Sequence, residues 1–221
     1  MKALLFDSET SGLFSFSKRA DEPGQPRMAS IAAMLVDDKG EKLKSMHRLI
    51  KPIDWEPQFI EDAKNGTGAF AVNGLKFDQL MAEGIPVLDA LIEFDTLFDE
   101  CEGFSAYGIQ FDSKILRAEQ RRAGRPDRYG ERPEFCVMKA ATDICKIPPT
   151  DKMMAAGKKW PKTPKLAEAV KIMLNRDLPG AHNAEVDLEA TREIFAIMLG
   201  MPGVVTWTTQ KPKLQEEAAS S

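Results

Sequence analysis

The first fifty residues contain three apolar runs, at residues 2–6, 30–36 and 43–50, each too short for a helix and each bounded by turn-forming residues. The second and third flank Asp37-Asp38-Lys39-Gly40, so they predict a β-hairpin. Beyond residue 75 the apolar period changes. Residues 76–83 and 87–100 read as amphipathic helices, the latter with Leu88, Leu91, Ile92, Leu97 and Phe98 as its apolar positions. A fourth strand is expected at 103–107, a helix at 112–123 stopped by Gly124, a fifth strand at 135–139, and helices at 140–145, 166–174 and 187–199. Residues 51–74 and 148–164 read as irregular. A hairpin followed by strands alternating with helices predicts a mixed α/β domain. One domain is expected, over residues 1–203, with the polar segment 204–221 as a disordered tail.

Charge and cysteine content narrow the partners. Lys plus Arg number 30 against 34 Asp plus Glu, a net charge of -4, so any grip on a phosphate backbone must be a local patch or act through metal ions. Cys101, Cys136 and Cys145 are odd in number and form no CxxC, which argues against a disulfide framework and for a reducing compartment. No apolar run approaches the roughly 20 residues of a membrane span. The opening MKALLFDSET has no basic n-region or long apolar h-region, so a cytoplasmic location is expected, with no membrane partner.

Three short segments carry chemistry. In FDSETSG, Asp7 and Glu9 stand two apart at the end of a strand, and the period of two puts both carboxylates on one face. Carboxylates so close repel unless a cation lies between them, and oxygen ligands suit Mg²⁺ or Mn²⁺. In YGIQFDSKIL, Asp112 follows an apolar strand and opens a helix, where an acid also complements the helix dipole. In GAHNAEVDLEAT, His182 precedes Asp187 by five residues. That spacing does not stack two side chains on one helical face, so this is no HExxH zinc site. It suits a loop histidine beside a helix-borne ligand. The other histidine, His47, falls in the third strand and reads as an ordinary surface or edge residue.

Taken in order, DSETSG after the first strand, FDSKIL at a strand–helix junction and HNAEVDLEAT on the last helix resemble the DEDDh family of 3′–5′ exonucleases. This family includes polymerase proofreading subunits and ribonuclease T. The resemblance runs over about residues 2–200 and takes in PRMASIAAMLVDDKGEKLKSMHRLIKP, FAVNGLKFDQLMAEGIPVLDAL and KKWPKTPKLAEAV. It implies a ribonuclease H-like fold, a mixed five-stranded sheet flanked by helices. It implies Asp7, Glu9, Asp112 and Asp187 as ligands of two Mg²⁺ or Mn²⁺ ions, with Glu9 and His182 catalytic and His182 the general base. The expected reaction is hydrolysis of phosphodiester bonds at DNA 3′ ends, releasing nucleoside 5′-monophosphates. Two cations about 4 Å apart stabilise the attacking and leaving oxygens of an in-line displacement, and a neutral imidazole takes the proton of the attacking water.

The resemblance also implies contacts to the terminal nucleotide from Thr10, Ser11, Gly12, Leu13, Tyr107 and Phe111. Ser11 stands where the family commonly has threonine, and Tyr107-Gly108 where it has His-Asn, a change that bears on substrate detail. Single-stranded DNA is held by stacking and by basic grooves. Phe14, Phe16, Phe70 and Phe111 are candidate stackers. Lys114, Arg117, Arg121, Arg122 and Arg125 form one candidate basic patch, and Lys158, Lys159, Lys162 and Lys165, around Trp160, form another. Two other readings remain open: an exoribonuclease trimming RNA 3′ ends, and a nucleic-acid-binding polymerase accessory with weakened activity. A polymerase partner and a homodimer are equally open.

Overall fold

In a computed structural model, which describes residues 1–15, 17–180 and 183–209, strand β1 (Ala3–Thr10) is the middle strand of the sheet. β2 (Met28–Val36) pairs antiparallel with it from Ala3↔Val36 to Glu9↔Ser30, and the register shifts between Glu9 and Thr10. β3 (Lys42–Leu49) pairs antiparallel with β2. The expected turn closes this hairpin: the Asp37 carboxylate accepts backbone N–H bonds from Lys39 and Glu41, both 2.9 Å. Across helices α1 (Pro57–Asn65), α2 (Phe70–Asn73), α3 (Phe77–Glu83) and α4 (Val87–Glu100), the chain returns as β4 (Gly103–Ala106), parallel to β1. Helix α5 (Ile109–Arg122) leads to β5 (Glu134–Cys136), parallel to β4. The order β3-β2-β1-β4-β5 makes a mixed five-stranded sheet. Then come α6 (Val137–Cys145), α7 (Asp151–Ala155), α8 (Leu166–Ala169), a π-helical turn over Val170–Leu174, and α9 (Ala184–Leu199).

The two faces of β1 divide the core. Leu4 and Phe6, with Ile31, Ala33 and Leu35, pack under α4 and α5. Ala3 and Leu5, with Ala32, Met34 and Val36, pack under α6 and α9. β2 is buried along its whole length, which explains its near-continuous apolar run. A smaller cluster gathers Trp55, Phe59, Phe70 and Leu80 from α1–α3 and the chain before them. Asp95, Gln120, Tyr129 and Arg125 form a polar network beside the larger core: the buried Tyr129 hydroxyl donates to Asp95 at 2.7 Å, and Arg125 donates to Gln120 at 2.7 Å. The cysteines are free thiols, and burial pushes that of Cys101 up to about 11. Among the described residues no helix is long and apolar enough to cross a membrane.

Five expectations are corrected. Residues 51–74 hold α1 and α2: Pro57 starts α1, Phe59 and Ala63 bury one face, and Gly66 ends it in the left-handed region. Within 148–164, α7 forms behind Thr150, whose hydroxyl accepts the Met153 N–H. β5 stops at Cys136 and α6 begins at once, while α5 starts at Ile109, ahead of Asp112. Residues 204–208 belong to the fold rather than to a tail. Thr208 and Glu134 exchange backbone hydrogen bonds of 2.8 and 2.9 Å, and Trp207 packs on Phe135 and Phe195. Residues 210–221 lie outside the described chain.

Gly40 joins the hairpin to α9. Its φ is +81°, its carbonyl accepts from Arg192 at 2.8 Å, and a Cβ there would fall 2.6 Å from that of Ala196. Gly40→Ala therefore meets both a disfavoured backbone conformation and an overpacked contact, and should cost about 2–4 kcal/mol. Urea unfolding at equilibrium measures it, and a loss below about 0.5 kcal/mol would contradict this packing.

Candidate functional site

β1 and β4 are parallel neighbours, yet the chain leaves β1 toward β2 on one side and β4 toward β5 on the other. Such a switch of direction opens a crevice at the carboxyl ends of the strands, where α/β sheets bind ligands. Asp7 and Glu9 occupy that end of β1. By strand alternation they continue the Ala3–Leu5 face, the side covered by α9. Ser8 points the other way and meets α5. Its N–H and its hydroxyl both donate to Asp112 Oδ1, at 3.1 and 2.7 Å. Asp112 lies in the first turn of α5 and is 6% exposed. Asp187 lies in the first turn of α9, whose N-terminus is capped by the Asn183 side chain accepting from Glu185 and Val186.

The four carboxylates sense one another. Asp7 is held well above the usual carboxylate range by burial, then by Asp112, Glu9 and Asp187. Glu9 is pushed up to about 8 by burial first, then by Asp187 and Asp112, against a hydrogen bond from Asn73. Burial raises Asp112 to about 6, partly opposed by the two donors of Ser8. Among the described residues no three acidic, histidine or cysteine side chains converge into a closed cation cage. Each of Asp7 and Glu9 nevertheless feels the charge of Asp112 and of Asp187. An all-carboxylate oxygen set with raised proton affinity fits a hard divalent cation such as Mg²⁺ or Mn²⁺.

The loop after β1 is built by its own hydroxyls. Thr10 Oγ1 donates to the Gly12 carbonyl at 2.8 Å, and Ser11 Oγ accepts the Arg27 N–H at 2.9 Å. This tight turn leaves Leu13 86% exposed beside the crevice. Phe14 is buried edge-on against Phe111, their centroids 5.6 Å apart, with Lys114 Nζ 4.2 Å from the centre of the Phe14 ring. Phe70 is core, packed on Trp55, and is not a base-stacking candidate. Tyr107 donates its hydroxyl to the Pro164 carbonyl at 2.9 Å, and burial raises its proton affinity. His182 and Phe16 lie outside the described residues.

The basic face expected on α5 is largely neutralised. Arg117 approaches Asp127 and Glu134, Arg121 approaches Asp21 and Asp127, Arg122 bonds Glu119 at 2.8 Å, and Arg125 bonds Asp95. These arginines tie loops to the helix. Lys162 is likewise paired, with Glu168. Sequence reasoning missed Asn73, which donates to the Thr10 carbonyl at 3.2 Å and touches Glu9. With Glu9, Ser30, His47, Arg48 and Asn183 it lines a cleft of about 300 Å³. His47, read as an edge residue, is in that cleft, its Nδ1 3.1 Å from Glu185.

The raised carboxyls set a pH dependence. Folding favours their protonated forms, so their contribution to stability is full below about pH 4 and is lost as pH rises through about 6 for Asp112 and about 8 for Glu9. In chelator, the urea midpoint should fall across this range, and Asp7→Asn should flatten the fall by removing one repelling charge. A midpoint that rises with pH would contradict the coupling.

No family model and no curated protein matches the chain. Solved structures do. Escherichia coli exonuclease I in complex with a dT13 oligonucleotide is 18% identical, with a TM-score of 0.68 over 89% of this chain and 40% of that one. A second exonuclease I structure, described as suggesting how processivity is achieved, gives 0.67 at 18% identity over 92% and 42%. The zinc-bound form of the E. coli exonuclease I complex with single-stranded DNA gives 0.66 at 17% over 91% and 41%. The chain thus spans about two fifths of the length of these structures, and what it shares with that part of them is the expected ribonuclease H-like fold.

Proposed function

We propose that the chain is a metal-dependent 3′–5′ exonuclease of the DEDDh type, hydrolysing single-stranded DNA from its 3′ end to nucleoside 5′-monophosphates. The observation that supports this reading is the mutual electrostatic influence of Asp7, Glu9, Asp112 and Asp187, with Asp7 and Glu9 at the carboxyl end of β1 and Ser8 between them holding Asp112. Among the described residues no lysine or arginine figures in the influences that set the proton affinities of Asp7 and Glu9. Cations among these acids would relieve their mutual repulsion and supply the positive charge that a phosphodiester meets. The likeness to exonuclease I structures that carry single-stranded DNA supports the choice of substrate over RNA.

Asp7, Glu9, Asp112 and Asp187 would hold two Mg²⁺ or Mn²⁺ ions, which supply charge neutralisation of the phosphate and activation of water. Ser8 fixes one oxygen of Asp112 through two donors, leaving the other for the crevice. Asn73 holds the Glu9 end of β1 from the opposite side. The 10–13 turn offers its backbone and the Leu13 side chain to the terminal nucleotide, with Leu13 as an apolar contact against a base or sugar. The Phe111–Phe14 pair supports that turn from below. Tyr107, tied to Pro164, acts through the loop it holds. His182, five residues before Asp187, would accept the proton of the attacking water, which requires the neutral imidazole.

The test is a 5′-labelled oligonucleotide assay with Mg²⁺ and with chelator, on DNA and RNA of one sequence. Stepwise shortening of DNA from the 3′ end, abolished by chelator, is expected. Asp7→Asn should remove turnover, and rates within a few-fold of wild type would exclude it as a ligand. His182→Ala should lower single-turnover rates by roughly 10²–10⁴ and remove the rise of rate with pH. If that variant keeps both the rate and the pH limb, another group takes the proton. Faster shortening of RNA than of DNA would make the chain an exoribonuclease.

A further inference from the structure

The lysines and tryptophan between α6 and α8 play no part in the site described above. Their loop has a built base. Lys162 N–H donates to the Ile147 carbonyl at 2.8 Å, and the Lys162 ammonium pairs with Glu168. Pro164 accepts the Tyr107 hydroxyl directly after β4, the strand whose carboxyl end borders the carboxylate crevice. Pro148, Pro149, Pro161 and Pro164 restrict the backbone further. At the tip, the Trp160 indole is 59% exposed, a large apolar face turned to water. Lys158 Nζ stands 6.0 Å from the centre of that ring. Lys158 and Lys159 make no ion pair among the described residues, in contrast to the arginines of α5, while the exposed Lys165 at the start of α8 lends its charge to Glu168. An exposed lysine is ordinarily just solvated. Lys158 and its neighbour Lys159 beside an exposed indole, with Lys165 further along a loop pinned to the strand that borders the acids, combine the two elements that hold single strands: a stacking face and phosphate-seeking charge.

We propose that residues 158–165 form a second contact for single-stranded nucleic acid, with Trp160 stacking on an unpaired base upstream of the cleaved end and Lys158, Lys159 and Lys165 holding the flanking phosphates. The inference deepens the exonuclease reading and rests on it for the direction of the strand. It also fixes a strand preference, because a base stacked within a duplex offers no free face to the indole. Short products that reach only the crevice escape this contact, and longer strands retain it.

Binding measured in chelator by fluorescence anisotropy separates this contact from turnover. Oligo-dT of about 15 nucleotides should bind Trp160→Ala roughly 5- to 100-fold more weakly than wild type, while Trp160→Phe, which keeps a stacking ring, should recover most of the loss. Oligo-dT of about three nucleotides should bind all three proteins alike. Lys158→Ala with Lys159→Ala should lower the slope of log affinity against log salt by roughly 1.4 for the longer strand, about 0.7 for each lost phosphate contact. Unchanged affinity of Trp160→Ala for the longer strand, equal losses for long and short strands, or an unchanged salt slope would each overturn the proposal. A wild-type protein that shows these binding shifts but releases no mononucleotide with Mg²⁺ would sink the exonuclease reading and leave the contact standing. Turnover without the shifts would do the reverse.

Discussion

Mutual repulsion among buried carboxylates is the constraint around which this fold is arranged. Asp7 and Glu9 are carried on the central strand, on the face that a few residues earlier buries Ala3 and Leu5. Placing acids there opposes burial, and their raised proton affinities express that opposition. The strand tolerates it because it is hydrogen-bonded on both sides and anchored on both faces by its apolar first half. The acids sit where those anchors end, at the mouth of the crevice between two chain directions. Ser8 then uses the opposite face to hold Asp112, so one strand end governs acids on both sides of the sheet.

Much of this was legible in the sequence, for physical reasons that differ by element. The hairpin announces itself through the turn residues between two apolar runs, and α3, α4 and α9 through a helical apolar period, although Leu88 and Ile92 of α4 stay exposed. The four acids stand out because each lies in a short motif at an element end. α1 was missed because Pro57, Gly66 and Gly68 suggest a loop, although proline at a first helical position starts a helix. Asn73 was invisible because its role depends on α2 meeting the end of β1 across 63 residues of chain. The basic face of α5 was misread for the same reason. Its partners Asp21, Asp95, Asp127 and Glu134 are scattered through the sequence, and only the fold brings them to the arginines.

The same contrast separates Lys158 and Lys159 from those arginines. A charge that closes a fold finds its counter-charge within it. A charge left at the tip of a proline-stiffened loop, next to an exposed ring, has its counter-charge elsewhere. The contact from Tyr107 to Pro164 makes this more than a local matter, since the tyrosine stands at the position where a substituted motif distinguishes this chain from the family it resembles.

The docking of residues 204–208 also bears on solubility. A sheet that ends in an open strand offers unpaired N–H and C=O groups to any neighbouring chain. At one margin, β3 carries Lys42, Lys44, His47 and Arg48, whose charge and bulk discourage a further strand. At the other, β5 is only three residues long, and Thr208 occupies the backbone groups of Glu134 while Trp207 covers Gly103, where a Cβ would come within 2.8 Å of the indole. The turn over residues 204–208 thus works as a closure for the sheet. A protein shortened at residue 203 would keep all four acids yet expose a strand edge and the aromatic faces of Phe135 and Phe195, and its failure would come as self-association rather than as lost chemistry.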